Sequence, residues 1–366
     1  MRTYADLIDH IVRIAHGHGV PVSFAQARTA VATAYADLPT LSHWRRYQKQ
    51  VRLITELSES GTCEVNFGYD PPLATLSSGS WPSWASYCTI HLNGIACRAG
   101  KRISSTELEL SSPPHVTSDS YSYTIFNDVL ELEDDFLTPI SAHNLDTTQE
   151  LRFTDASSVK RTYGILPISG NPECAVIEHD GLTKRIRLTP PPNSSTAIDL
   201  IYTRSLPQLV YAGRDWRDTA GTIDVSGSAV TGTDTRFASA MEGCVIRIGN
   251  ENNVPTGPDG EFPFFEERII ESVKDADELT VTEDFDNDYD GVHYCITDLL
   301  DVDEFLYQVL VAQSAKRLEE IIGKDLKVDV TSVLRQAKAA DAAQRDVPDT
   351  MPIPPMVVGR IITTTS

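Results

Sequence analysis

A chain of 366 residues with 41% hydrophobic and 23% charged side chains holds enough apolar material for roughly two or three cores, which excludes disorder as its default state. Its 52 acidic against 31 basic residues leave a net charge of −21, and this excludes a DNA-wrapping or membrane-surface role, because phosphate binding depends on clustered Lys and Arg. Such acidity suits a wall that DNA must pass without sticking, and equally serves as a plain solubility device.

The first element is a helix over Thr3 to Ala15. Thr3 and Asp6 imitate a capping box, and Tyr4, Leu7, Ile8, Ile11, Val12 and Ala15 share one face. A second box, Ser23 with Gln26, opens another one-faced helix that runs to Leu38 before Pro39. Together they form a helical hairpin, residues 1–47, in need of a third helix.

From Gln48 the period changes to two. The runs 50–57, 62–69, 86–94, 95–103 and 105–110 alternate or are rich in β-branched and aromatic residues, and Gly, Pro, Ser and Asn separate them. Asn93-Gly94 is a hairpin turn, and Thr106 to Ser122 reads as a surface loop. A second β stretch from Leu151 to Leu209 has a strand closed by Pro190, Pro191 and Pro192 and another, Ala197 to Thr203, closed by Pro207. Residues 48–212 are thus expected to be a large antiparallel β body. Residues 213–298 hold several more short strands at regular spacing and are expected to form a separable, inserted small β-barrel.

The strongest helix is Asp301 to Gly323. Asp301 is placed to N-cap it with Glu304 reaching back, and Gly323 supplies the left-handed residue that ends it. Its apolar residues make two faces. Val302, Phe305, Leu306, Val309 and Leu310 lie on one, and Tyr307, Val311, Ala315, Leu318 and Ile322 on the other. Such a helix needs two partners, either two layers of its own domain or its own domain and a neighbouring copy; the second option makes Tyr307, Val311, Leu318 and Ile322 interface candidates. A weaker, Ala-rich helix spans Val328 to Arg345, so residues 299–346 are expected to close a small helical core with the N-terminal hairpin. The last segment, 347–366, carries Pro348, Pro352, Pro354 and Pro355 and reads as an extended arm. Its apolar Val357, Val358, Ile361 and Ile362 are candidates for docking outside the subunit, on the sheet edge of another protein. The fold class is α+β.

Sites for chemistry are scarce. The six cysteines are scattered with no CxxC pair, which points to free thiols in a reducing cytosol. Asp6 and Asp9 stand where a signal peptide would be basic and apolar, and no run of about 18 apolar residues is present, so the chain is expected to remain on the cytosolic side with no membrane role. Asp286, Asp288 and Asp290, with Gly291, match the opening of a calcium loop, but the twelfth position is Thr297 where a bidentate Glu is needed; an acidic β-turn is the plainer reading, and no metal or cofactor is expected. His16 and His18 lack a third ligand, Ser157 and Lys160 make an SxxK too short to carry meaning, and no Walker A, GxGxxG, GxSxG or HExxH occurs. Trp81, Trp84 and Tyr87 could form a sugar platform, although aromatic residues in β-rich chains mostly fill cores.

The order of parts, with Gly170 and Pro172, then Leu188, Pro190 and Pro192, then Tyr202, Arg204 and Pro207, and Val230 to Phe237 in the insert, resembles head-to-tail adaptor (neck, head-completion) proteins of tailed bacteriophages. The resemblance covers most of Leu151 to Gly323 by pattern and the N-terminal hairpin by architecture. It implies a non-enzymatic virion protein, assembled in the host cytoplasm into a ring of about twelve copies. The ring would sit between the portal and tail or nozzle proteins, with DNA passing through unbound. The competing class is a tail or baseplate module that binds host surface polysaccharide.

Overall fold

The computed structural model describes residues 1–111, 120–163, 169–181, 183–212, 217–256 and 261–345. It is a mixed α+β chain that divides into two compact units, one formed by residues 1–35 with 209 onward, the other by 36–208. Helices α1 (Tyr4–Gly17) and α2 (Phe24–Asp37) open the chain. At α1 the Thr3 hydroxyl caps by accepting from Asp6 N, and at α2 the full reciprocal box forms, with bonds from Ser23 N to Gln26 Oε1 (3.0 Å) and from Gln26 N to Ser23 Oγ (3.3 Å).

The unit of residues 36–208 has a host and an insert. Strand β1 (Gln48–Ile54) leads directly into a closed six-stranded barrel of β2 (Glu59–Asn66), β3 (Leu73–Thr75), β4 (Thr89–Leu92), β5 (Ile95–Arg102), β6 (Glu107–Leu110) and β7 (Tyr121–Phe126), paired in the order β2-β3-β6-β5-β4-β7. Strand β6 falls within the expected run 105–110, which overlaps the start of the stretch read as loop. Trp81, Cys88, Ile90, Cys97, Leu108, Tyr121 and Ile125 fill the barrel, and Asn93-Gly94 turns its β4–β5 hairpin with both residues at positive φ.

The chain then returns to the host through β8 (Val129–Glu131), β9 (Phe136–Asn144), β10 (Gln149–Glu150), β11 (Arg152–Phe153), α3 (Ala156–Tyr163), β12 (Cys174–His179), β13 (Lys184–Thr189) and β14 (Ala197–Arg204). Two four-stranded sheets result, β1-β14-β9-β10 and β11-β12-β13-β8, and they share a core of Phe136, Ala142, Ile186, Leu188, Ile198, Leu200 and Tyr202. Strand β13 stops at Thr189, where the triple proline removes the donors a ladder needs.

In the other unit, β15 (Thr222–Ser226), β16 (Ala229–Thr233), β17 (Val245–Ile248), β18 (Glu267–Val273), β19 (Glu278–Val281), β20 (Tyr289–Val292) and β21 (Tyr294–Thr297) form one seven-stranded sheet in the order β20-β15-β16-β19-β18-β17-β21. The expected barrel at 213–298 is therefore an open sheet, with no ladder joining its end strands among the described residues; the closed barrel lies in 59–126 instead. Alternation with period two is common to both architectures, so the sequence pattern could not separate them. The ends of the segment do meet, since Asp218 and Ile296 exchange backbone bonds of 2.8 Å each.

Helices α4 (Glu304–Ile322) and α5 (Val330–Arg345) finish the described chain. The N-cap of α4 is Asp303, whose carboxylate accepts from Leu306 N at 2.9 Å, and not Asp301; the Asp301 amide is taken by the Tyr35 hydroxyl and Glu304 by Arg2. Gly323 ends the helix at φ 66°, as expected. Helix α4 packs on α1 and on α5.

Candidate functional site

The chemistry-bearing side chains gather at two buried ionic joints. In the first, β13 turns Ile186 and Leu188 into the sandwich and Arg185 and Arg187 the other way. The Arg187 guanidinium donates to Asp128 Oδ2 (3.0 Å), to both Glu178 carboxylate oxygens (2.7 and 3.1 Å) and to the Tyr87 carbonyl (2.7 Å). Asp128, 1% exposed, also accepts from Thr89 N (2.8 Å) and the Thr89 hydroxyl (2.7 Å), so one carboxylate ties barrel strand β4 to host strand β13. Burial opposes the charge on Arg187, but Asp128 and Glu178 outweigh it and raise its pKa further. Burial likewise pushes Glu178 upward, and the hydrogen bonds and charge of Arg187 reverse that, leaving it below the ordinary carboxylate value. Tyr87 holds φ 66°, a left-handed conformation rare for a bulky residue, and its ring lies 4.0 Å beneath the Arg185 guanidinium.

In the second joint, Arg247 on β17 is 2% exposed and makes a bidentate pair with Asp6 of α1, at 2.7 Å for each bond. Its Nε donates to Glu267 of β18 at 3.1 Å, and Phe264 stacks under it at 4.5 Å. Planar forks of this kind fix orientation as well as distance. Nearby, Asp298 is 4% exposed and accepts from Val210 N (2.8 Å) and Tyr211 N (3.0 Å), with the Cys244 thiol at 3.8 Å; burial raises its pKa.

The first joint opens onto little space. The recess beside Arg187, bounded by Thr89, Arg98, Asp128, Lys160 and Glu178, has about 20 Å³ of room, about enough for one water. A larger cleft of about 250 Å³ lies beneath α3 among Arg152, Thr154, Ser158, Thr162 and Cys174, still below the roughly 300 Å³ at which ligand pockets begin. The Ser157 hydroxyl is held by Asp155, the residue that caps α3, so the SxxK pair is a helix start. All six cysteines are buried, and burial pushes Cys63, Cys97, Cys244 and Cys295 up to about 12, which leaves them poor nucleophiles.

The other sequence candidates are dispersed. Asp286 has Arg268 at 3.5 Å and its amide on Glu266, Asp290 pairs with Asp224 on the adjacent strand, and β20 begins at Tyr289. Asp286, Asp288 and Asp290 do not converge, and no group of three or more His, Cys, Asp or Glu side chains is set to hold a metal among the described residues. Trp81 is barrel core with its indole N–H on the Thr106 carbonyl, Trp84 donates to Glu56, and Tyr87 lies under Arg185, so the three present no open sugar platform.

Of the interface candidates on α4, Tyr307 and Leu318 are buried by their own chain, and Val311 and Ile322 are half-buried. Tyr307 is covered by the Arg2 guanidinium at 4.4 Å. The second face of α4 is thus covered from within at Tyr307 and Leu318 and partly open at Val311 and Ile322, and Phe305, expected to be inward, is exposed. Val357, Val358, Ile361 and Ile362 lie outside the described residues. The two joints themselves went unread in the sequence, because a lone Arg in a strand gives no sign that it is buried; Asp128, far from both Thr89 and Arg187 in the chain, is equally silent. No described helix is long and apolar enough to cross a membrane. Comparison with known protein families finds no model that matches the chain, and no curated protein matches it either.

Proposed function

We propose that the chain is a structural subunit of a virion, a head-to-tail adaptor that assembles as a ring between portal and tail and lines part of the DNA conduit. The observation that carries this reading is the arrangement of parts. Helix α1, at one end of the chain, packs on α4, near the other, and is pinned by Asp6 and Arg247 to a seven-stranded sheet, while a separate β unit carries a closed barrel as an outgrowth. Of the residues of the resemblance, those between Gly170 and Pro207 belong to the host of the barrel, whereas Val230 to Phe237 begin in β16 of the seven-stranded sheet. Leu188 and Tyr202 are core of the host sandwich, Gly170 N bonds the Pro191 carbonyl at 2.9 Å, and Arg204 lies over the Tyr47 ring. The buried ionic groups act as joints between elements, which suits a part that must keep its shape under load.

The net charge of −21 supports a conduit role, since an acidic wall repels phosphate. The copy number of about twelve, the portal and the tail or nozzle proteins as partners come from the resemblance alone. Co-sedimentation of the purified chain with portal-bearing, tail-less capsids tests the reading. Saturable capture that requires the portal is the expected result; no capture, combined with binding to bacterial surface polysaccharide, would favour the tail-module alternative.

A further inference from the structure

We propose that the free edge of β1 is a docking site for the C-terminal segment, residues 356–362, of a second copy of this chain. Strand β1 ends its sheet, and among the described residues β14 is the one strand paired with it. The bond from Thr55 N to Thr196 O (2.9 Å) sets the phase of that ladder. Antiparallel pairs alternate between bonded and non-bonded, so Leu53, Val51 and Lys49 face β14, and the backbone groups of Gln50, Arg52 and Ile54 face outward.

Free edges are usually short or blunted. The other edges of the open sheets here follow that rule: β8 has three residues, β10 and β11 two each, and β20 and β21 four. Strand β1 has seven, and exposed apolar side chains, Ile54 at 59% and Leu57 at 64%, stand at its end.

The sequence supplies an occupant of matching length. Met356-Val357-Val358-Gly359-Arg360-Ile361-Ile362 is free of proline and rich in β-branched residues, the composition of a strand. It is preceded in sequence by residues 346–355, which include Pro348, Pro352, Pro354 and Pro355, and a stretch of that length and composition has an extended reach of about 30 Å, enough for a neighbouring molecule. Backbone bonds to Gln50, Arg52 and Ile54 give affinity, and alternate Val and Ile side chains cover Ile54 and Leu57. This deepens the adaptor reading by naming a contact between copies, and it is testable without portal or particle.

The test uses the full-length protein in sedimentation equilibrium, with hydrogen exchange of β1 followed against concentration. Arg52→Pro removes one outward N–H while leaving the bonds to β14 in place, and Ile361→Pro removes the segment's capacity to pair as a strand. The expected result is self-association that each substitution, or an excess of synthetic peptide 356–366, weakens about tenfold or more. The Gln50 and Ile54 amides should gain protection as concentration rises. Association indifferent to Ile361→Pro and to the peptide, absence of association, or protection that does not depend on concentration would each overturn the proposal. Failure of portal capture would leave this result standing, and the converse holds as well.

Discussion

Asp128 is almost wholly buried and accepts three hydrogen bonds from two different parts of the β unit. Asp128→Ala leaves Arg187 Nη1 and the Thr89 amide and hydroxyl without an acceptor while Glu178 still pairs the guanidinium, so the loss should lie toward the low end of the about 3–5 kcal/mol that breaking a buried pair costs. Urea unfolding of the variant should show that loss. A variant within about 0.5 kcal/mol of the parent would show that the joint holds nothing. Asp298 acts in the opposite sense. Burial raises its pKa above the unfolded value, so its contribution is most favourable when it is protonated, below about pH 4, and declines as pH rises from there through the folded pKa. Asp298→Asn does not titrate. Its stability relative to the parent should therefore improve between acid and neutral pH, and a difference that is flat or falls across that window would contradict the assignment.

At the scale of elements, α4 is the helix whose sequence said most. Its extent, its Gly323 terminus and its two apolar faces were legible, because 3.6-residue periodicity and end signals are local. The partner of its second face was not: that depends on where α1 and α5 fold back, which no local pattern encodes. The N-cap slipped from Asp301 to Asp303 because both are aspartates just ahead of the same apolar run, and the tertiary bond from the Asp301 amide to the Tyr35 hydroxyl decides between them. Helix α3 had a readable signal in Asp155 followed by Ser157 and Ser158, but its single buried valine gives almost no periodicity.

Substitutions in α4 separate these roles. Leu318 is fully buried, so Leu318→Ala should cost about 2–5 kcal/mol, and Leu318→Glu should unfold the helical layer rather than selectively block assembly. Asp303→Ala removes a cap worth about 1 kcal/mol. Circular dichroism melts of the three variants check this. Normal melting of Leu318→Glu would mean that this face is not packed as described.

For the whole molecule, both β regions were visible from alternation, but their closure was not. The barrel at 59–126 and the sheet at 222–297 read alike along the chain, and only the pairing of β2 with both β3 and β7 closes the first. The segment 221–297 also contributes Arg247 and Glu267 to the joint with Asp6. Replacing it with a short linker should therefore destabilise α1 as well, read out as loss of the cooperative transition, and a remainder that still melts cooperatively would show the sheet to be independent. The proposed place at a portal vertex is tested most directly by imaging phage particles from a lysate in which the chain is produced. Density fitting this chain in a ring at the portal vertex is the expected result; density elsewhere on the particle, or none at all, would contradict the proposal.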